Sequence, residues 1–145
     1  VDDTREIMAA LQKRFPDIVV PRKDDICYAT TNRQEAVKKI APHCDRVIVV
    51  GSPNSSNSMR LVEVAERAGC SRAMLLEEGG DIDWSDFENI RSMGVTAGAS
   101  APEVLVNGIL DAFAERFELH LETVTTAEDT ISFKLPRPLR DSTAA

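Results

Sequence analysis

Arg46-Val47-Ile48-Val49-Val50-Gly51-Ser52-Pro53-Asn54-Ser55-Ser56-Asn57-Ser58, followed by an amphipathic run over residues 59–68, decides the fold of this chain. An unbroken apolar run reads as a buried strand, and the apolar spacing after it reads as a helix. Between them lie small, uncharged side chains that can hydrogen-bond, so the segment is a strand-to-helix turn. Such a turn sets hydroxyls, amides and free backbone N–H groups at the positive end of a helix dipole. An anion, above all a phosphate, is favoured there. Taken alone, the same turn reads equally well as a capped polar loop.

Outward from this segment the pattern repeats. A strand over 73–76 leads through Gly79-Gly80 to a short helix with Trp84, Phe87 and Ile90 on one face. A strand over 93–96 leads through Ala97-Gly98-Ala99-Ser100 to a helix with Pro102 near its first turn and Leu105, Val106, Ile109, Leu110 and Phe113 inward. Gly69 predicts the end of the helix before it. Upstream, Ile26 opens a short extended piece, and Asn32 with Glu35 predicts a capping box at the head of a helix through Ile40. Asp3 predicts the cap of a first helix with Ile7, Met8, Leu11 and Phe15 on its apolar face, stopped by Pro16. Ile18-Val19-Val20 reads as a strand, and the charged Pro21-Arg22-Lys23-Asp24-Asp25 as a linker. Short apolar strands alternating with helices predict the α/β class, a parallel sheet flanked by helices. Ligands of such sheets sit at the carboxyl ends of the strands, where Thr30-Thr31-Asn32, Ser55-Ser56-Asn57 and Ala99-Ser100 are expected. Past Phe117, strand-like alternation over 120–125 and 131–135 predicts a tail that packs on something outside the domain.

Lys and Arg number 17 against 24 Asp and Glu, a net charge of −7, which argues against a nucleic-acid partner and an anionic membrane surface. Any phosphate site must then work through local donors. No apolar run approaches a membrane span. The opening Val1-Asp2-Asp3-Thr4 has neither a methionine nor the order of a signal peptide, and reads as a cut inside a longer chain. Cys27, Cys44 and Cys70 are odd in number and widely spaced, which fits neither a disulfide framework nor a CxxC metal cage. A reduced, cytoplasmic protein is expected.

Three stretches carry a resemblance. They are Asp24-Asp25-Ile26-Cys27-Tyr28-Ala29-Thr30-Thr31-Asn32-Arg33-Gln34-Glu35-Ala36-Val37, then Gly51 to Ser58 with Met59-Arg60-Leu61, then Gly94-Val95-Thr96-Ala97-Gly98-Ala99-Ser100-Ala101-Pro102. In this order they resemble the C-terminal part of the LytB-type iron–sulfur reductases, the 4-hydroxy-3-methylbut-2-enyl diphosphate reductases of non-mevalonate isoprenoid synthesis. The resemblance runs over essentially the whole chain. It implies one lobe of a three-domain, trefoil-like enzyme around a [4Fe–4S] cluster, with one cysteine from each domain and an open iron for the substrate hydroxyl. It further implies an allylic diphosphate substrate, reduced to isopentenyl and dimethylallyl diphosphate with electrons from ferredoxin or flavodoxin. On this resemblance Cys27 is the cluster ligand, Ser55, Ser56, Asn57 and Ser100 bind the diphosphate, and Thr30 is a substrate neighbour. The other cysteines, the histidines and the proton-delivering glutamate are expected in N-terminal domains upstream of Val1. Residues 1–23 would then end the preceding domain, 24–117 form the third domain and 118–145 the tail. Pro53 stands where many relatives carry lysine or another residue, beside the Ser-Ser-Asn core rather than in it.

The other chemistry-bearing residues read as structural. Cys44 and Cys70 lie between a helix and the next strand, and His43 and His120 in a surface turn and in the tail. Trp84 and Phe87 are expected in the core. Glu77-Glu78 and Asp81 to Asp83, around Gly79-Gly80, read as a solvated turn and a helix cap before a metal site. Arg22-Lys23 reads as a solvated pair before a site that steers an acidic electron donor. An alternative function from another class is a non-catalytic α/β module that binds a phosphorylated ligand. An upstream coding stretch with two more cysteines would decide for the enzyme.

Overall fold

The structure, a computed structural model, describes residues 1–20 and 26–126. Its centre is strand β1 (Arg46–Val50), with every residue buried, as an unbroken Val/Ile run in a parallel sheet must be. Strand β2 (Ala73–Leu76) pairs with it on one side, Val47 opposite Ala73 and Val50 opposite Leu76. Strand β3 (Met93–Ala97) pairs on the other, Arg46 opposite Met93 and Val50 opposite Ala97. All pairs are parallel, in the order β2-β1-β3, as the alternating pattern predicts.

Side-chain alternation along β1 sends Val47 and Val49 to one face and Ile48 and Val50 to the other. Helices α2 (Tyr28–Ile40) and α3 (Ser56–Arg67) cover the first face, where Val37, Ala41, Leu61, Val64 and Ala65 join the two valines. Helix α4 (Glu103–Ala114) and short 3-10 turns at Gly79–Asp81 and Trp84–Phe87 cover the second. Trp84 and Phe87 pack there edge-on to Phe113, with ring centroids at 5.2 and 4.8 Å, so both serve the core as expected. Gly69, at φ 116°, ends α3 in a conformation that side chains resist. Glu78 and Asp81 form a reciprocal capping box, and Asp83 accepts from the Ser85 N–H at 3.0 Å. The carboxylates around Gly79-Gly80 are therefore a turn and a cap, as read from the sequence.

Four local expectations fail. Helix α1 (Asp2–Arg14) starts at Val1, so Asp3 lies inside it and does not cap it. Its carboxylate instead pairs with Arg60 and, at 3.0 Å, with Arg67, while Asp2 pairs with Lys38 at 2.8 Å. These pairs fasten α1 by its acidic end and leave Ile7 60% and Phe15 53% exposed. Ile18-Val19-Val20 forms no strand and pairs with none of the three strands, and Val19 is 94% exposed. Helix α2 begins at Tyr28 with Cys27 as its N-cap, so Asn32 and Glu35 lie inside the helix and Glu35 binds Lys38 at 3.0 Å instead. Residues 120–125 form no strand. The linker over 21–25 and the strand over 131–135 fall outside the described residues. No helix among the described residues is long and apolar enough to cross a membrane.

At the amino edge of the sheet, the Asp45 carboxylate accepts from the N–H groups of Arg91 at 2.8 Å and Ser92 at 3.1 Å. These bonds hold its carboxyl below the usual carboxylate value. A carboxyl depressed by folding stabilises the fold above its unfolded pKa of about 3.9, and the contribution is lost as pH falls through the folded value. In acid titrations of the intact protein below about pH 4, Asp45→Asn should lose less stability on acidification than the parent; parallel curves would contradict this. Phe113, 2% exposed among Trp84, Phe87 and Phe117, carries more. Phe113→Ala should cost about 3–5 kcal/mol in denaturant unfolding, and a loss under about 1 kcal/mol would contradict its place in the core.

Candidate functional site

Helix α3 leaves β1 over one face of the sheet and α4 leaves the neighbouring β3 over the other. Adjacent parallel strands whose connections depart to opposite faces leave a crevice at their carboxyl ends, where ligands of open α/β sheets bind. The Ser52–Ser55 turn opens one wall of this crevice and the Gly98–Ala101 turn the other. Their roots are tied together, since Val50 pairs with Ala97 and the Gly98 N–H donates to the Val50 carbonyl at 2.9 Å.

The first turn is built by its own side chains. The Ser52 hydroxyl accepts from the Asn54 N–H at 3.2 Å, and the Ser52 carbonyl accepts from the Ser55 N–H at 2.9 Å. Ser55 then caps α3, its Oγ accepting from the Ser58 N–H at 3.3 Å. Ser56 and Asn57 are the first two helical residues, whose N–H groups have no acceptor within the helix. Ser56 is exposed. Asn57 is not: both amide atoms, Oδ1 and Nδ2, are buried and have no hydrogen-bond partner among the described residues. An unpaired buried polar group costs about 1–3 kcal/mol, so an amide orphaned at both ends among the described residues marks this helix N-terminus as a place for a further polar partner.

Across the crevice, Ser100 is exposed in the turn closed by Ala101 N–H to Gly98 carbonyl at 3.0 Å. It lies two residues before Pro102, which caps α4 without a side-chain bond, so Ser100 stands beside that helix end rather than within it. Thr30 is not in a turn after a strand, as expected, but in the first turn of α2. Its N–H donates to the Cys27 carbonyl at 2.9 Å. The far end of α2 fixes its direction. A Cβ on Gly94 would lie 3.0 Å from Ile40 and 3.2 Å from Val47, so Ile40 sits over the amino ends of the strands. Thirteen residues of helix then run about 20 Å back toward the carboxyl edge. Exposed Cys27 therefore caps α2 on the crevice side of the sheet. The sequence reading assigned no role to Ser58, Gly51 or Gly98, which meet beneath this turn; only the pairing of β1 with β3 reveals them.

Residues 1–114 match the family described as LytB protein. This chain belongs to the LytB protein family. A 4-hydroxy-3-methylbut-2-enyl diphosphate reductase of Bradyrhizobium diazoefficiens is 63% identical over 145 residues, all of this chain and 45% of that protein. The LytB chain thus spans less than half the length of such curated relatives. The solved E-1-hydroxy-2-methyl-but-2-enyl-4-diphosphate reductase of Plasmodium falciparum superposes with a TM-score of 0.88 at 33% identity, over 99% of this chain and 45% of that one. A second solved structure, an (E)-4-hydroxy-3-methyl-but-2-enyl diphosphate reductase described as the terminal enzyme of the non-mevalonate pathway, matches at TM-score 0.58 and 32% identity. It covers 62% of this chain and 32% of that one.

The three cysteines of the LytB chain differ in exposure. Cys27 is exposed, Cys44 half-buried and Cys70 buried. Burial pushes the Cys44 thiol up, which favours the thiol over the thiolate that metals require. Among the described residues no three His, Cys, Asp or Glu side chains lie together to hold a metal ion. A second concavity of about 200 Å³ between α1, α2 and α3 is lined by Asp2, Lys38, Arg60 and Arg67, whose charges already pair with α1.

The crevice predicts opposite stability effects at neighbouring positions. In the intact, ligand-free protein, Ser55→Ala should lower stability by about 1 kcal/mol through loss of the cap. Asn57→Ala removes an unpaired buried amide and should cost nothing or stabilise. Thermal melting compares the two, and a larger loss in Asn57→Ala would show that its amide is paired after all.

Proposed function

We propose that this chain is the C-terminal part of an iron–sulfur 4-hydroxy-3-methylbut-2-enyl diphosphate reductase, of which it supplies the diphosphate crevice and one cluster ligand. The observation that carries the reading is the buried amide of Asn57, orphaned at both ends at the N-terminus of α3. A diphosphate oxygen would satisfy its Nδ2, and the backbone N–H groups of Ser56 and Asn57 with the hydroxyls of Ser55 and Ser56 would share the remaining charge. Ser100 would close on the diphosphate from the other wall, and Thr30, one turn beyond Cys27, would border the substrate. These donors are neutral, so they hold an anion by several moderate bonds and let a diphosphate product leave.

Cys27 fits as the cluster thiolate of this domain because soft thiolate is the ligand such clusters take, and Cys27 is the exposed cysteine on the crevice side. The remaining ligands would come from the part of the protein that the relatives possess and this chain does not. A bound [4Fe–4S] cluster supplies the reducing equivalents. In the net reaction the allylic C–O bond breaks, two electrons and two protons enter, and the hydroxyl leaves as water. Isopentenyl and dimethylallyl diphosphate result. Ferredoxin or flavodoxin is the proposed electron donor, and the cytoplasm, where free thiols persist, the proposed compartment. The division into the end of a preceding domain (1–23), a third domain (24–117) and a tail (118–145) belongs to the same reading. The outward apolar stripe of α1 suits a helix that meets further domains of the enzyme.

In the intact protein, Cys27→Ser should abolish both the cluster absorbance and reduction of the substrate, and unchanged iron content would remove it from the ligand set. Asn57→Ala should keep its iron and raise KM by roughly tenfold to a hundredfold, the worth of a hydrogen bond to a charged group of about 1.5–3 kcal/mol. Equal grip in ground and transition states would leave kcat nearly untouched. Parent kinetics in both Asn57→Ala and Ser100→Ala would return these turns to a purely structural role.

A further inference from the structure

Ser58, the third residue of α3, has no assigned contact with the diphosphate itself, yet it is 1% exposed and its N–H donates to Ser55 Oγ. Its hydroxyl fills a slot between two glycines. A Cβ on Gly51 would lie 2.3 Å from Ser58 Oγ and 3.0 Å from Ser58 Cβ. A Cβ on Gly98 would lie 2.3 Å from the same Oγ and 3.5 Å from the same Cβ. Backbone freedom is not the reason for either glycine, because among the described glycines only Gly69 has a positive φ. Space is the reason. Both glycines are anchored to the sheet: the Gly51 N–H donates to the Leu76 carbonyl at 3.0 Å, and the Gly98 N–H to the Val50 carbonyl at 2.9 Å. Ser58 rides instead on the helix whose first residues are Ser56 and Asn57.

We infer that Gly51, Ser58 and Gly98 form a steric seat that sets the height of the Ser55–Asn57 turn against the Ala99–Ser100 turn, and so the spacing of the two walls that grip the diphosphate. All three are positioning residues, and the inference rests on the diphosphate reading of those turns. The displacement at stake follows from the distances. Relieving a 2.3 Å approach to an ordinary contact of 3.4 Å takes a shift of about 1 Å, shared among the Ser58 hydroxyl, α3 and its turn. A shift of that size in a positioning element can cost about a hundredfold. The seat is also asymmetric. Without the Ser58 hydroxyl, a side chain at 98 meets its next neighbour at an ordinary 3.5 Å, whereas one at 51 still meets Ser58 Cβ at a tight 3.0 Å.

The test is a set of double-variant cycles on the intact, cluster-loaded enzyme. Gly98→Ala should raise KM for the diphosphate substrate by about tenfold to a hundredfold, with iron content and kcat near those of the parent. In the Ser58→Ala background the same substitution should change KM by no more than about twofold, the scatter of independent sites. Gly51→Ala should stay costly in both backgrounds. Equal KM penalties for Gly98→Ala in the two backgrounds would overturn the seat while leaving the diphosphate reading intact. Parent KM values in Asn57→Ala and Ser100→Ala would instead remove that reading and the positioning role with it. Should Gly98→Ala fail to accumulate folded, the double variant decides. Recovery of folded enzyme with the KM of Ser58→Ala supports the seat, and failure to fold overturns it.

Discussion

Val47 and Val49 project from one face of β1 and Ile48 and Val50 from the other, and all four are wholly removed from water. Each such side chain contributes about 1.5–3 kcal/mol through burial, so neither face can go uncovered. Covering both forces the chain to send α3 to one side of the sheet and α4 to the other. With β2 and β3 on opposite flanks of β1, those departures leave from adjacent strand ends. The crevice is the gap that two-sided burial of a parallel strand leaves behind.

That gap would hold an anion on a chain whose own charge is −7. Long-range attraction therefore works against an anionic ligand, and binding must come from donors at contact distance. An amide that must meet a ligand cannot also be fully paired without it, and Asn57 carries that cost in its orphaned Oδ1 and Nδ2. Ser55, two residues earlier, combines both tasks: its Oγ accepts from the Ser58 N–H and so caps the helix, while its proton stays available to an acceptor.

The sheet, its parallel sense, α3, α4 and the terminating Gly69 were legible in the sequence, because each rests on a local signal strong enough to survive packing: an unbroken apolar run, a helical apolar spacing, a glycine just past its end. The start of α3 at Ser56, with Ser55 as its cap, lies three residues before the apolar run that signalled it. The errors came where a local signal had a tertiary competitor. Asp3 carries the chemistry of a cap, yet its carboxylate is claimed by Arg60 and Arg67 across helix surfaces, while α2 begins five residues before Asn32 at a cysteine that offers no cap bond, so that Glu35 lies inside the helix and pairs with Lys38. Ile18-Val19-Val20 has strand propensity but pairs with none of the three strands, and propensity alone does not make a strand. Of the candidate site, the composition of the turn was legible and its consequences were not. Nothing local marks the Asn57 amide as buried or Ser58 as the occupant of a slot, since both facts depend on β3 lying beside β1.

Strand direction accounts for the remaining favourable charge. Helices α3 and α4 follow their strands, so their N-termini lie at the carboxyl edge of the sheet. Helix α2 feeds β1 from the amino edge, as Ile40 against Gly94 and Val47 shows, so its N-terminus lies at the carboxyl edge as well. Three helices of 12 or 13 residues therefore turn their positive ends to one side, each worth about half an elementary charge near its first turn. A thiolate at Cys27 and a diphosphate in the crevice are the two anions that the reading places there, and both suit an edge made electropositive by backbone alone. Any alternation of strand and helix produces that edge. What this sequence adds is the absence of side chains at Gly51 and Gly98, which leaves room for Ser58 and, on the proposed reading, lets the first turn of α3 settle low enough to reach the diphosphate.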